Sequence, residues 1–520
     1  MSSSLTAAGA AEGTPRAATG LAGGTLWLTA ILLAVANFLA VLDTSIANVS
    51  VANIAGGLGS SNSEGTWVIT SYAVAEAIIV PLTGWLVSRF GTVRVFLTAM
   101  TLFGVCSGLC GLAWSMNVLV AFRILQGMAG GPLMPLSQTL LMQIFPKRLQ
   151  PTAMTLWAMT TLAAPIAGPI LGGLLCDNVG WPSIFWVNVP IALSAPFILW
   201  RLIRGYEPPT QRVRVDGVGL VLLVVWVGAL QIVLDLGKDR DWFSSNLIVL
   251  LSLIAVVGFV AFLIWELTEK NPIVRLAVFR HRGFSTAMIT LALAFGAFFA
   301  GNVLTPLWLQ SLMGYTATWA GYATAGFGVA ALLMAPLAGK LTTRMDPRSL
   351  VFAGVCWLGL ISLYRTGADA DMTFGQVAFQ VSLMGFGLSL FFLPLTSASL
   401  GSVDPDEIAA AAGLQNFIRT LAGAVGTSLV NTVWENDTTR SHAELAGILN
   451  HATDTLDAYV RSGMSEGQAL HSLESLVNGQ AIMLSTNHVF LGCAVAFLVA
   501  AGAIWLSPRP KYVADTSAAH

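Results

Sequence analysis

Fourteen apolar stretches, each long enough to cross a bilayer, leave this chain few choices of fold. Their approximate limits are 26–48, 67–88, 95–114, 117–140, 152–175, 184–204, 216–236, 246–267, 285–310, 318–341, 349–366, 374–399, 408–434 and 486–506. A helix needs about 20 apolar residues to cross roughly 30 Å of hydrocarbon. In lipid only helices and closed barrels satisfy their own backbone polar groups. The chain therefore reads as an all-α integral membrane protein. Composition agrees: of 520 residues 55% are hydrophobic and 10% charged, against about 25% charged in soluble domains. With 25 Lys+Arg against 26 Asp+Glu, net charge points to neither nucleic acid nor an acidic partner. Cys106, Cys110, Cys176, Cys356 and Cys493 are scattered, which is neither a disulfide framework nor a metal-ligand spacing.

Basic residues set the orientation. With the N-terminus in the cytoplasm, inner segments hold 18 Lys/Arg, from Arg16 through Arg212, Arg214 and Lys340 to Arg509 and Lys511. The outer loops hold five: Lys238, Arg240, Arg365, Arg440 and Arg461. Arg123 and Arg419 fall inside spans. This positive-inside bias places both termini in the cytoplasm; the expected location is the cytoplasmic (inner) membrane. Residues 1–24, rich in Ser, Ala and Gly, read as a disordered tail, and 507–520 as a second tail. The first apolar run is too long for a signal-peptide core and reads as a retained helix.

The chain repeats itself. "PLTGWLVSR" at 81–89 matches "PLAGKLTTR" at 336–344, each copy ending a span before a short basic turn. Parallel six-helix repeats build transporters with the substrate site between the halves. The copies lie eight spans apart, not six, so two helices, 216–236 and 246–267, are inserted. The expected organisation is a six-helix half at 25–204, a linker with the inserted pair at 205–280, and a second half at 281–506. That second half includes an outer insertion at 435–485, whose Leu445, Ile448, Leu449, Ala452, Leu456 and Tyr459 recur at helical spacing.

Five motifs in order carry a family resemblance: "LDTSIANVSVANIAG", "GWLVSRFGTVR", "RILQGMAGGP", "APIAGPILGG" and "WPSIFWVNVPIA". They resemble the major facilitator superfamily in its fourteen-helix drug:proton antiporter branch, typified by EmrB and QacA. The resemblance implies two six-helix halves plus two inserted helices, fourteen in all. It implies a proton-coupled exporter of hydrophobic, amphipathic compounds that runs on the proton gradient without a cofactor. It further implies a periplasmic adaptor and an outer-membrane channel as partners, the outer insertion either docking the adaptor or capping the transporter. Within the same scaffold the alternative is a dedicated exporter of one metabolite or siderophore. The sequence departs from the family pattern at Ser45, Ala52 and Ser88, where Thr, Pro and Asp are usual. In the family that Asp helps latch the cytoplasmic side, so the latch here is weaker or rests on Arg89 and Arg94, beside Gly84 and Gly91. Arg89 equally fits a simple positive-inside anchor. In the helix-five motif Gly168 and Gly172, with Gly173 adjacent, permit close helix approach, and Pro169 removes a helix hydrogen bond and invites a bend.

Charges inside spans are expensive and point to function. Asp43 and Arg123 share an estimated depth in the outer third of the membrane. They form either a proton-coupled pair, the role the resemblance implies, or a permanent salt bridge that fixes the fold. Asp43 shares a helix face with Ser50, whereas Asn37, Thr44 and Asn48 form a second polar stripe suited to a central cavity. Glu76 sits near the midplane as a candidate proton carrier, cation site or neutral structural carboxyl. Gln126, Gln415 and Arg419 join the candidate cavity lining. Arg419 has no midspan carboxylate in helices nine to fourteen and reads as meeting an anionic substrate or carbonyls, binding Gln415 and Asn416, or snorkelling. Histidines lie at or beyond span ends, which argues against a histidine relay. No D-D-x-x-D, H-x-x-x-x-D or phosphate-loop motif occurs, which disfavours a membrane transferase or an ATP-driven pump.

Overall fold

The computed structural model describes residues 23–60, 62–65, 67–207, 210, 216–448 and 452–508. Outside that range fall most of both tails with Arg16, Arg509, Lys511 and His520, the linker arginines Arg212 and Arg214, and Leu449 and His451 of the outer insertion.

Every regular element among the described residues is helical. The long helices are α1 Gly24–Gly57, α2 Trp67–Phe90, α3 Thr92–Cys110, α4 Met116–Ile144, α5 Gln150–Asn178 and α6 Ser183–Tyr206. The inserted pair is α7 Gly217–Leu236 and α8 Asn246–Thr268. Then come α9 Arg282–Ser311, α10 Ala317–Thr342, α11 Pro347–Arg365, α12 Phe374–Gly401, α13 Ile408–Ile448 and α14 Glu466–Ala503. Short polar side chains start many of them by accepting the free N–H groups of the first turn. Ser115, Asp216, Thr316 and Asp346 do so singly, whereas Thr373–Gln376 and Ser465–Gln468 form reciprocal boxes.

Twelve of these helices are long and apolar enough to cross a membrane, and α5 makes a thirteenth as two segments bent by 45°. The bend falls in the Pro/Gly-rich stretch the sequence marks. The expected fourteenth, 408–434, lies on α13, a helix of 41 residues whose Gln415, Asn416 and Arg419 dilute its apolar character. The outer insertion is mostly helix: α13 runs on to Ile448, Ala452–Arg461 forms a short helix, and α14 begins at Glu466. The last expected span, 486–506, is therefore the second half of a longer rod.

Helix pairing follows the same pattern in the first six and the last six long helices. In the first half α1 packs on α5, α2 on α4, and α3 on α4 and α6. In the second, α9 packs on α13, α10 on α12, and α11 on α12 and α14. The inserted α7 packs on α8, on α2 and on α13, so it spans both halves at one flank, and α5 meets α10 at the other. At its far end α7 is tied to α13, where Ser428 donates to the Leu234 carbonyl at 2.8 Å, and in the connection to α8 the Trp242 indole donates to Thr432 at 3.0 Å.

The halves meet closely at the end carrying the basic turns. A Cβ at Gly84 would overlap Ala410, and one at Gly339 would overlap Thr155. At the opposite end Thr44 is half-buried and Asn48 exposed.

Candidate functional site

Asp43 and Arg123 meet inside the first half, and 2% and 0% of their surfaces are exposed. One Arg123 Nη donates to Asp43 Oδ2 at 2.5 Å. Asp43 Oδ1 accepts from Gln126 Nε2 and from Asn188 Nδ2, each at 2.9 Å. Arg123 also donates to the Val68 carbonyl at 3.0 Å and to Gln126 Oε1 at 2.9 Å, and stacks on Tyr72 at 4.3 Å. Its second Nη has no partner among the described residues. Ser107, which donates to the Phe185 carbonyl, accepts from Asn188, and Cys110 donates to Gln126. Five helices (α1, α2, α3, α4 and α6) thus converge on one carboxylate.

Taking an ion pair out of water is costly unless its remaining hydrogen-bonding capacity is met. Here the carboxylate is fully served and the guanidinium is not. The arrangement can therefore hold a charge on Asp43 and leaves Arg123 with alternative acceptors, Val68 and Gln126, if that charge is removed.

A second set of groups lies where the halves face one another. Glu76 on α2 is half-buried, and Arg419 lies on α13. Arg419, 8% exposed, touches Met134 Sδ of α4 and lies near the rings of Phe295 and Phe392, at 5.9 and 5.8 Å. Beside it Asn416 donates to Gln138 across the halves at 2.7 Å. Phe295 packs on Phe298, Phe299, Phe391 and Phe392, and Trp157 on Phe392. The result is a buried aromatic cluster with one guanidinium beside it.

The remaining candidates separate. Gln126 belongs to the Asp43 cluster rather than to the surface between the halves. Gln415 accepts from Ser399 and donates to Thr396, inside the second half. Asn37 donates to Thr160 and Thr161 of α5 at 3.1 and 2.7 Å, fastening α1 to α5. Gly168 lets α5 close on Ser45 of α1, while Gly173 faces open space. The Pro169 side chain lies outside the described residues. Arg365 corrects the loop count: it ends α11, is 2% exposed, and folds back to donate to Thr305 at 2.7 Å over the ring of Phe490. Its side chain is long enough to turn inward from the last turn, which hydropathy does not register. Arg419 likewise reaches into the other half, where it touches Met134 of α4.

The loop motif gains a partner the sequence reading missed. Gly91 has φ +94°, and a Cβ there would overlap Glu207. Glu207 accepts from the Val93 and Arg94 backbone N–H groups at 3.2 and 3.1 Å, capping α3. Burial raises its carboxyl above the ordinary range, against those hydrogen bonds and the Arg94 charge. Ser88, in place of the usual Asp, accepts from Arg275 at 3.2 Å. Arg89 lies over Trp85 and Phe90. Asn188, Gln138 and the Phe295 cluster were also missed. Asn188 stood within a motif, and "AFGAFFA" at 294–300 was a visible aromatic concentration.

A family model described as Major Facilitator Superfamily matches residues 33–427. The chain is 42% identical to the multidrug export protein EmrB of Escherichia coli K12, over 94% of this chain and 97% of that one. It is 41% identical to the fatty acid resistance protein FarB of Neisseria gonorrhoeae, over 93% and 96%. Among solved structures, the human organic anion transporter MFSD10 matches with a TM-score of 0.54 at 14% identity, covering 91% of this chain and 97% of that one. That last likeness concerns the fold.

Proposed function

The chain belongs to the major facilitator superfamily and is of the EmrB type; on that premise we propose that it is a proton-coupled antiporter exporting hydrophobic and amphipathic compounds. The observation that carries the proposal is the buried Asp43–Arg123 pair, held by Gln126 and Asn188, beside a second carboxylate, Glu76, between the halves. Protonating Asp43 removes the charge that holds Arg123. Arg123 then falls back on Val68 and Gln126, and the packing of α1 against α4 and α6 loosens. Glu76, Arg419 and the aromatic cluster beside it, uncovered as the halves part, meet the substrate. The basic turns face the cytoplasm, so this conformation is closed inward and open outward, and the membrane is the inner membrane. In this reading α13 is the fourteenth span. The projecting ends of α13 and α14 dock a periplasmic adaptor and, through it, an outer-membrane channel.

The test is a susceptibility panel in an efflux-deficient host, with and without an uncoupler, paired with purified protein in proteoliposomes. Resistance to chemically diverse amphiphiles that the uncoupler abolishes, with substrate-dependent proton movement, supports the reading. Export that persists without a proton gradient overturns it. Resistance confined to one compound favours a dedicated exporter.

A further inference from the structure

We propose that the flank between α5 and α10 carries a binding site for an anionic phospholipid of the cytoplasmic leaflet, and that its occupant stabilises the inward-closed conformation. The inference goes beyond the transport reading and takes from it only the orientation.

The site is a cavity of about 580 Å3 at the basic end, lined from both halves. Trp27, Arg148, Thr152 and Leu156 come from the first half, and Lys340 and Thr343 from the second. Arg148 and Lys340 are exposed, and neither has an ion-pair partner among the described residues. Trp27, 38% exposed, packs edge-on against Phe145 at 5.6 Å, the usual place of an indole at headgroup level. Leu156, Met159 and Pro336 continue the wall toward the membrane interior. The cavity thus offers two cations and hydroxyl donors where a headgroup lies, and apolar surface where its chains begin. Basic pockets between helices on the cytoplasmic side have this chemistry for anionic lipid.

Closure brings this about. Gly339 of α10 sits against Thr155 of α5 with no room for a Cβ, and this contact draws two like charges to one cavity. Unoccupied, they repel and oppose closure. An anion between them reverses the sign. A ligand that binds the closed arrangement better shifts the population toward it. At the other flank α7 packs on both α2 and α13.

The test uses the full chain purified in detergent with equal phosphatidylglycerol and phosphatidylcholine, and native mass spectrometry counts the lipid retained. Wild type should retain phosphatidylglycerol preferentially. The double variant Arg148→Gln with Lys340→Gln should lose that preference by about thirtyfold, and Arg148→Lys with Lys340→Arg should keep it. Thr152→Trp, at an exposed rim position, should also lose it by filling the site, which covers the case of a double variant that fails to fold. Millimolar inorganic phosphate should not displace the lipid. Undiminished retention in the Gln and Trp variants overturns the proposal. So does displacement by phosphate, which would make free phosphate the ligand.

Discussion

Asp43 is held by three side chains from two other helices, and the consequences of altering it follow from that count. Removing one partner of a buried ion pair strands the other, at about 3–5 kcal/mol. Asp43→Asn should abolish gradient-driven export in proteoliposomes while binding of a neutral substrate survives. Asp43→Asn with Arg123→Gln should recover thermal stability without recovering proton coupling. A double variant that regains coupled transport would make the pair a static brace, and Glu76 would become the carboxylate to test. Asn188→Leu should cost about 1–3 kcal/mol, because it removes a donor from a buried charge. The shift in melting temperature measures it, and an unchanged value would show that Gln126 alone suffices.

The start of α3 depends on two residues far apart in sequence. Gly91 has φ 94° and ψ 152°, a region that side chains other than glycine enter at about 1–3 kcal/mol. Gly91→Ala should therefore lower the melting temperature, and the overlap with Glu207 should deepen the effect. The Glu207 carboxyl is raised by burial in the folded protein. Its contribution to stability is thus present below the unfolded value and is lost as pH rises through the raised folded one. The melting temperature of wild type relative to Glu207→Gln should accordingly fall as pH rises from the carboxylate range toward neutrality. A relative rise would mean that the Val93 and Arg94 hydrogen bonds outweigh burial. At the opposite end, deleting 440–475 should abolish resistance in cells yet spare transport in proteoliposomes. Loss of both would make the extension structural.

For the molecule as a whole the decisive feature is where its halves touch. Gly84 of α2 lies against Ala410 at the basic end, so closure there needs a residue without a side chain. Gly84→Leu should hold the halves apart at that end and halt export without preventing folding. Cysteines introduced at Thr83 and Ala409, both buried here, should then label from the cytoplasmic side. Continued protection in the variant would show that the contact does not govern closure. Topology has its own measurement. A cysteine at exposed Ser462 should react with an impermeant reagent in intact cells, and one at exposed Asn271 should not.

Hydropathy and the five motifs were enough to specify a helical membrane protein and its family, because apolar length and short motifs are properties of contiguous residues. Depth estimates from the same helices paired Asp43 with Arg123. Which residues complete that pair is a matter of packing among five helices. Asn188 lies 145 residues from Asp43, and no local pattern registers such a separation. For the same reason Gln126 and Gln415 read as cavity residues and fold as internal partners. Arg365 reads as a loop cation and folds inward, and Arg419 touches Met134 of the other half. A one-dimensional pattern gives a residue's depth and helix face. Its neighbour across a helix contact exists only once the helices have packed, and in this protein those neighbours decide which charges are held and which remain available.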